Sequence, residues 1–129
     1  MSAAGQTVYE HVAGLIQSHA ERTAGESGYG AVGAVVGATY AGILKQLRQT
    51  MPHAYLLIPG FGAQGGSAAD VADGFDENGL GAIVNSSRGI IFAYENEKFA
   101  ASDWQSSVDL ATRDAIQRLA ADTPAGKLR

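Results

Sequence analysis

Cysteine is absent from this chain. That excludes disulfides, zinc-thiolate sites and cysteine nucleophiles. Long apolar runs are also missing: none approaches the roughly 18 residues needed to cross a membrane. The opening, Met1-Ser2-Ala3-Ala4-Gly5-Gln6, has no basic segment followed by an apolar one, so no signal peptide is read there. A soluble, cytoplasmic protein with no membrane partner is the expectation. Positive charge is scarce as well. Nine Lys and Arg stand against 13 Asp and Glu, a formal net charge of −4. A nucleic-acid partner wants a basic face, and this balance argues against one. It leaves room for a single basic pocket around a small phosphate ligand. The three histidines, His11, His19 and His53, show no metal-ligand spacing.

Glycine, by contrast, is abundant. The chain carries 17 glycines and is 46% hydrophobic, which suits an α/β protein with many tight loops. The most informative stretch is Tyr55-Leu56-Leu57-Ile58-Pro59-Gly60-Phe61-Gly62-Ala63-Gln64-Gly65-Gly66-Ser67. An apolar run ends in a glycine-rich loop, which leads directly into a helix-start signal, Ser67-Ala68-Ala69-Asp70. Glycines let backbone N–H groups approach a ligand closely, and a helix N-terminus favours negative charge. A second such feature follows: Ala82-Ile83-Val84-Asn85-Ser86-Ser87-Arg88-Gly89. Two consecutive strand ends equipped for a phosphate point to the last βα loops of a (β/α)8 barrel.

The remaining pattern agrees. Thr7-Val8-Tyr9-Glu10 reads as a capping box, followed by Val8, Val12, Leu15, Ile16 and Ala20 at helical spacing. Ala31 to Val36 is a continuous apolar run, as expected of a parallel strand buried on both faces. A helix with Ile43, Leu44, Leu47 and Met51 on one face is stopped by Pro52. A third helix from Ser67 presents Ala68, Val71, Ala72 and Phe75, with Asp70 as capping partner. Ile90 to Tyr94 reads as apolar loop, and Glu95 to Lys98 as a solvated stretch. Ser102-Asp103-Trp104-Gln105 reads as a final capping box, opening a helix with Trp104, Val108, Ala111, Ala115 and Leu119. Strand centres recur roughly every 25 residues with helices between them, the logic of parallel βαβ units. The expected fold is therefore α/β, a partial (β/α)8 TIM barrel: its last three βα units preceded by a helix. It forms one unit over 1–129, with a flexible start (1–6), an α-βα-βα-βα body (7–121) and a disordered tail (122–129). Three parallel strands cannot close a barrel, which needs about eight.

Three motifs carry a family resemblance: Gly30 to Thr39, Pro59 to Gly66, and Val84 to Ile90. In this order and at these separations they closely resemble orotidine 5'-phosphate decarboxylase, nearest to the bacterial branch with longer subunits. The resemblance covers about residues 6 to 120. It implies the C-terminal half of a barrel that removes CO2 from orotidine monophosphate (OMP) to give UMP in pyrimidine biosynthesis, without cofactor or metal. It also implies that Gln64 and Arg88 hold the nucleotide phosphate, with Gly65, Gly66 and Gly89 in the same loops, and that Pro59 borders the pyrimidine. Each has a plainer reading: Gln64 as an exposed loop amide, Arg88 as a surface ion-pair residue. Asn85, Ser86, Ser87 and Thr39 end strands, where polar side chains often satisfy local backbone groups.

The departure is as specific as the match. The family's chemistry needs an Asp-x-Lys-x-x-Asp array, whose lysine delivers the proton, and no such array occurs here. The only lysines are Lys45, Lys98 and Lys127, none of them following a strand in an acid-flanked context. No catalytic residue is therefore expected in this chain, which alone should be inactive. Two rival readings remain: a non-catalytic phosphate-binding or assembly module, and half of another sugar-phosphate barrel of the hexulose-phosphate synthase or ribulose-phosphate epimerase type. An open partial barrel also calls for self-association or a complementary half-barrel chain.

Overall fold

The computed structural model describes residues 5–37, 41–62 and 67–128. Five α-helices and three strands alternate along them: α1 (Val8–Arg22), β1 (Gly33–Val35), α2 (Ala41–Thr50), β2 (Tyr55–Pro59), α3 (Ala68–Ala72), β3 (Ala82–Asn85), α4 (Ser87–Ile91) and α5 (Trp104–Asp122). Short 3-10 turns cover Ala93–Glu95, Glu97–Phe99 and Pro124–Leu128. The strands form one parallel sheet in the order β1-β2-β3. Register pairs Val35 with Leu57 and Leu57 with Ile83, and it brings Pro59 level with Asn85 at the carboxyl ends.

Side-chain alternation then decides which face is covered. Leu56 and Ile58 are fully buried, with Ala34, Ala82 and Val84 packed against the same core. Leu44 and Leu47 of α2, Met51 just beyond it, and Ala68 and Val71 of α3 meet them there. The other face carries the row Val35, Leu57 and Ile83, exposed at 73%, 36% and 55%. This corrects the expectation of a first strand buried on both sides. Among the described residues this row is left open on the second face, the one that would line the interior of a barrel; at its amino-terminal end Tyr29 stacks on Tyr55. Val84 belongs to the helix side.

The helices follow local rules with some shifts. Thr7 caps α1, its hydroxyl accepting from the Glu10 N–H while the Glu10 carboxylate accepts from the Thr7 N–H at 2.7 Å. Of the five residues read at helical spacing, Ala20 and Ile16 do face the core, joined by Ala13, whereas Val8, Val12 and Leu15 lie exposed. Small residues win because the chain packs closely there: a Cβ at Gly30 would run into the Ala20 carbonyl. Ser67 and Asp70 cap α3 reciprocally, as read from the sequence. Two segments differ from their expectations. Residues 90–94 are not a loop, since α4 runs to Ile91 and a 3-10 turn follows. The cap of α5 is Asp103, which accepts from the Ser106 N–H at 2.7 Å, in place of a Ser102 capping box. Where a disordered tail was expected, Pro124–Leu128 folds back on α5, and Lys127 donates to the Glu77 carbonyl at 2.6 Å. No described helix is long and apolar enough to cross a membrane.

The amino-terminal end of the sheet is tied together by a residue the sequence reading passed over. Arg48, on α2, is buried. Its guanidinium donates to the carbonyls of Met51, Ala54 (2.8 Å) and Gly81 (3.0 Å). It also lies 5.6 Å from the centroid of the Tyr29 ring, which stacks on Tyr55. The Tyr29 hydroxyl donates to Asp76 at 2.7 Å, and Asp76 accepts from the N–H groups of Asn78 and Leu80. Gly81 has φ +85°, and a side chain there would collide with the Tyr29 hydroxyl. Burial and the Asp76 carboxylate push the Tyr29 hydroxyl up to about 12. Burial pulls Arg48 down, and its neighbours Tyr29 and Asp76 partly restore it. Burial acts to raise Asp76, but donation from Tyr29, Leu80 and Asn78 outweighs it and holds this carboxyl below its ordinary value.

A carboxyl with a depressed folded pKa contributes stability above its unfolded pKa, about 3.9, and loses it as pH falls through the lower folded value. Asp76→Asn should therefore destabilise the chain at pH 7 by about 1–2 kcal/mol. It should also lose less stability than wild type between pH 5 and pH 3. Urea unfolding at several pH values measures both, and parallel acid profiles would refute the assignment.

Candidate functional site

Both loops singled out from the sequence leave the same end of the sheet, because parallel strands present all their carboxyl termini on one side. Beyond Pro59 the backbone turns through Gly60 and Gly62, at φ +96° and +82°. These are left-handed conformations that glycine adopts without strain. Between them Phe61 is driven inward and is 2% exposed. The Ser86 hydroxyl, just past β3, donates to the Phe61 carbonyl. This bond carries the pairing of β2 and β3 past their ends into the loops. It also explains why Ser86 sits at the N-cap of α4 without a side-chain capping bond.

A cavity of about 790 Å³ opens beside this junction. One wall is Phe61, Gly62, Ser86, Arg88 and Gly89; the other comes from α5 and the turns before it, with Lys98, Asp114 and Arg118. Arg88 and Gly89 therefore share a cavity with the first glycine turn. Gln64, Gly65 and Gly66 lie outside the described residues, as does Thr39. Pro59 does not line the cavity. By alternation it shares the open sheet face with Tyr55 and Leu57, level with Asn85.

Charge in the cavity is divided unevenly. Lys98, read from the sequence as part of a solvated stretch, forms a 2.7 Å ion pair with Asp114. Arg118 approaches the other oxygen of Asp114 at 3.5 Å and lies over the Phe61 ring, 4.8 Å from its centroid. Sequence reasoning missed Arg118. The available signal was its i+4 spacing from Asp114 on a helix whose start had been recognised. Two histidines serve local structure: the His53 ring donates from Nδ1 to the Gly28 carbonyl at 2.7 Å, and His19 Nδ1 lies 2.6 Å from Arg22 Nη2. Among the described residues no group of three His, Asp or Glu side chains is placed to hold a metal. Lys45 is exposed on α2, Lys98 is paired with Asp114 and Lys127 binds a backbone carbonyl.

No family model matches the chain. Curated relatives do. Over 123 residues it is 52% identical to orotidine 5'-phosphate decarboxylase of Rhodopirellula baltica, covering 92% of this chain and 41% of that protein. It is 42% identical over 106 residues to the enzyme of the same name from Caldicellulosiruptor saccharolyticus, covering 82% of this chain and 34% of the relative. Solved structures agree on the fold. A Toxoplasma gondii chain assigned as an orotidine-monophosphate-decarboxylase superposes with a TM-score of 0.67 at 25% identity, over 92% of this chain and 43% of that one. Leishmania donovani UMP synthase superposes with a TM-score of 0.56 at 32% identity, over 92% and 24%. The chain thus spans about two fifths or less of the length of these curated relatives. Its three-stranded parallel sheet is the corresponding piece of a TIM barrel, open where theirs continues. By sequence and by fold, this is a partial chain of the orotidine 5'-phosphate decarboxylase family.

Proposed function

We propose that the chain supplies the phosphate-gripping part of an orotidine 5'-phosphate decarboxylase, the lyase that converts OMP to UMP and CO2 in cytoplasmic pyrimidine synthesis. The observation that carries this is the junction of two adjacent strand ends. The Gly60-Phe61-Gly62 turn and the Ser86–Gly89 segment are joined by a hydrogen bond, and Phe61, Gly62, Ser86, Arg88 and Gly89 line one cavity. In this reading Arg88 binds the phosphate bidentately, as a planar guanidinium suits. Gln64, Gly65, Gly66 and Gly89 complete the cradle. Pro59, on the open face beside Asn85, borders the pyrimidine. The phosphate is remote from the bond that breaks, so its binding energy serves to orient the base and to stabilise the transition state elsewhere. The ligand is a small nucleotide, with no nucleic-acid or membrane partner and no cofactor.

Decarboxylation itself needs a proton donor at the pyrimidine. No Asp-x-Lys-x-x-Asp sequence is present to provide it, so a complementary segment must, or the chain only binds. The exposed row Val35-Leu57-Ile83 favours a partner on physical grounds. Apolar surface left in water costs about 25 cal/mol per Å², and the outer edges of β1 and β3 offer unpaired backbone groups. Self-association or a complementary half-barrel chain would cover both.

Three outcomes test the proposal. UMP should bind, and Arg88→Ala should weaken it by about 1.5–3 kcal/mol; equal affinity in titration calorimetry would remove Arg88 from the site. The purified chain alone should leave the orotate absorbance of OMP unchanged, whereas turnover surviving stringent purification would place a proton donor within it. Sedimentation at micromolar concentration should show association, and a cooperative, strictly monomeric species would count against the open-barrel reading.

A further inference from the structure

Arg118 is a cation of the cavity to which the family resemblance gives no role. It sits on α5, outside both motifs. Its guanidinium lies over the Phe61 ring, 4.8 Å from the centroid. That ring is a fixed platform, because Phe61 is 2% exposed and its carbonyl is held by Ser86. Cation–π contact with a buried ring restricts where the guanidinium can go. Its Nη2 end faces the glycine turn: a Cβ at Gly62 would stand 3.7 Å from Nη2 and 3.3 Å from the Ser86 hydroxyl. Its Nε approaches Asp114 at 3.5 Å, and Asp114 makes its shorter contact, 2.7 Å, with Lys98. The other carboxylates in the cavity wall, Glu95 and Glu97, are on the exposed turns before α5. Nη2 therefore lies within contact distance of the Gly62 turn, on the same cavity wall as the Ser86 hydroxyl.

We propose that Arg118 is a second cation of the anion site, gripping the phosphate ester from the α5 wall while Arg88 holds it from α4. The inference rests on the proposed nucleotide-binding reading and deepens it, since it adds a binding residue from an element that the motifs do not include. Phe61 then has two roles. It closes the core beneath the loop and holds the guanidinium at the height of the Gly62 turn. A planar guanidinium stacked by one face keeps its edge N–H groups free for a phosphate oxygen. Asp114 fixes the opposite edge and, because it is shared with Lys98, does not fully neutralise it.

The test is calorimetric titration of the intact 129-residue chain with two probes, UMP and inorganic phosphate, for wild type, Arg118→Gln, Arg118→Lys and Arg88→Ala. A direct phosphate contact predicts that Arg118→Gln weakens both probes by a similar factor, about tenfold or more for a lost charge-assisted bond. Arg118→Lys should recover most of the loss, and the dependence of affinity on salt should flatten in Arg118→Gln. If Arg118 only buttresses Phe61, then Lys and Gln will be equally impaired, the salt dependence will stay as in wild type, and the inference falls. If Arg88→Ala loses affinity while Arg118→Gln does not, the inference falls and the nucleotide site stands. If neither substitution matters, or wild type binds neither probe, the nucleotide-site reading itself falls and takes the inference with it.

Discussion

The guanidinium of Arg48 is buried at the amino-terminal end of the sheet, where its direct contacts are carbonyl oxygens. A buried charge is tolerable only when its hydrogen-bonding groups are answered. Here the answers come from the end of α2 and from the residues entering β2 and β3, so one side chain fixes how the helix and two strands start relative to one another. Tyr29 and Asp76 extend that bond set to the loop before β1 and the segment after α3. The carboxyl ends of the strands inherit their alignment from it. Pro59 stands level with Asn85 because Leu56 stands level with Ala82, three residues earlier on each strand. The chain is therefore braced at one end of the sheet and carries its loops at the other. That division is the usual one for this architecture, with stability at the amino-terminal face and ligand chemistry at the carboxyl-terminal face.

Where the sequence was legible, local rules and burial agreed. β3 lies where the Ala82-to-Asn85 run placed it, and β2 extends one residue further than read, to Pro59. The inward face of α2 and the Ser67–Asp70 cap also follow directly from spacing. Three features were hidden, each for a physical reason. Arg48 neighbours Leu47 on an amphipathic helix and reads as surface, because its partners are carbonyls, which every residue has. α4 is too short for a helical period to emerge. Part of the buried face of α1 was read, Ile16 and Ala20, but Ala13 was not, because hydrophobic spacing undervalues an alanine beside Val8, Val12 and Leu15.

The candidate site divides in the same way. Glycine turns and an arginine at a strand end announce themselves in a sequence; Arg88 and Gly89 share a cavity with Gly62, while Gln64, Gly65 and Gly66 lie outside the described residues. Arg118 does not announce itself, because its role comes from where α5 packs, and packing partners far apart in sequence leave no local pattern. The Ser86 hydroxyl is a further instance. By sequence it was a strand-end polar group of uncertain use; in the fold it links the two loops.

The open sheet has a geometric corollary. Its two outer strands, β1 and β3, run in the same direction. An edge of one copy therefore matches the opposite edge of the next, in a head-to-tail rather than a back-to-back arrangement. Head-to-tail contacts make rings when the rotation closes and open fibres when it does not. A ring of about eight strands is the closed solution for a sheet of this tilt. Copies of a three-stranded unit cannot meet it evenly: two fall short and three overshoot. Copies of this sheet alone thus face a closure mismatch that a partner contributing a different number of strands would remove.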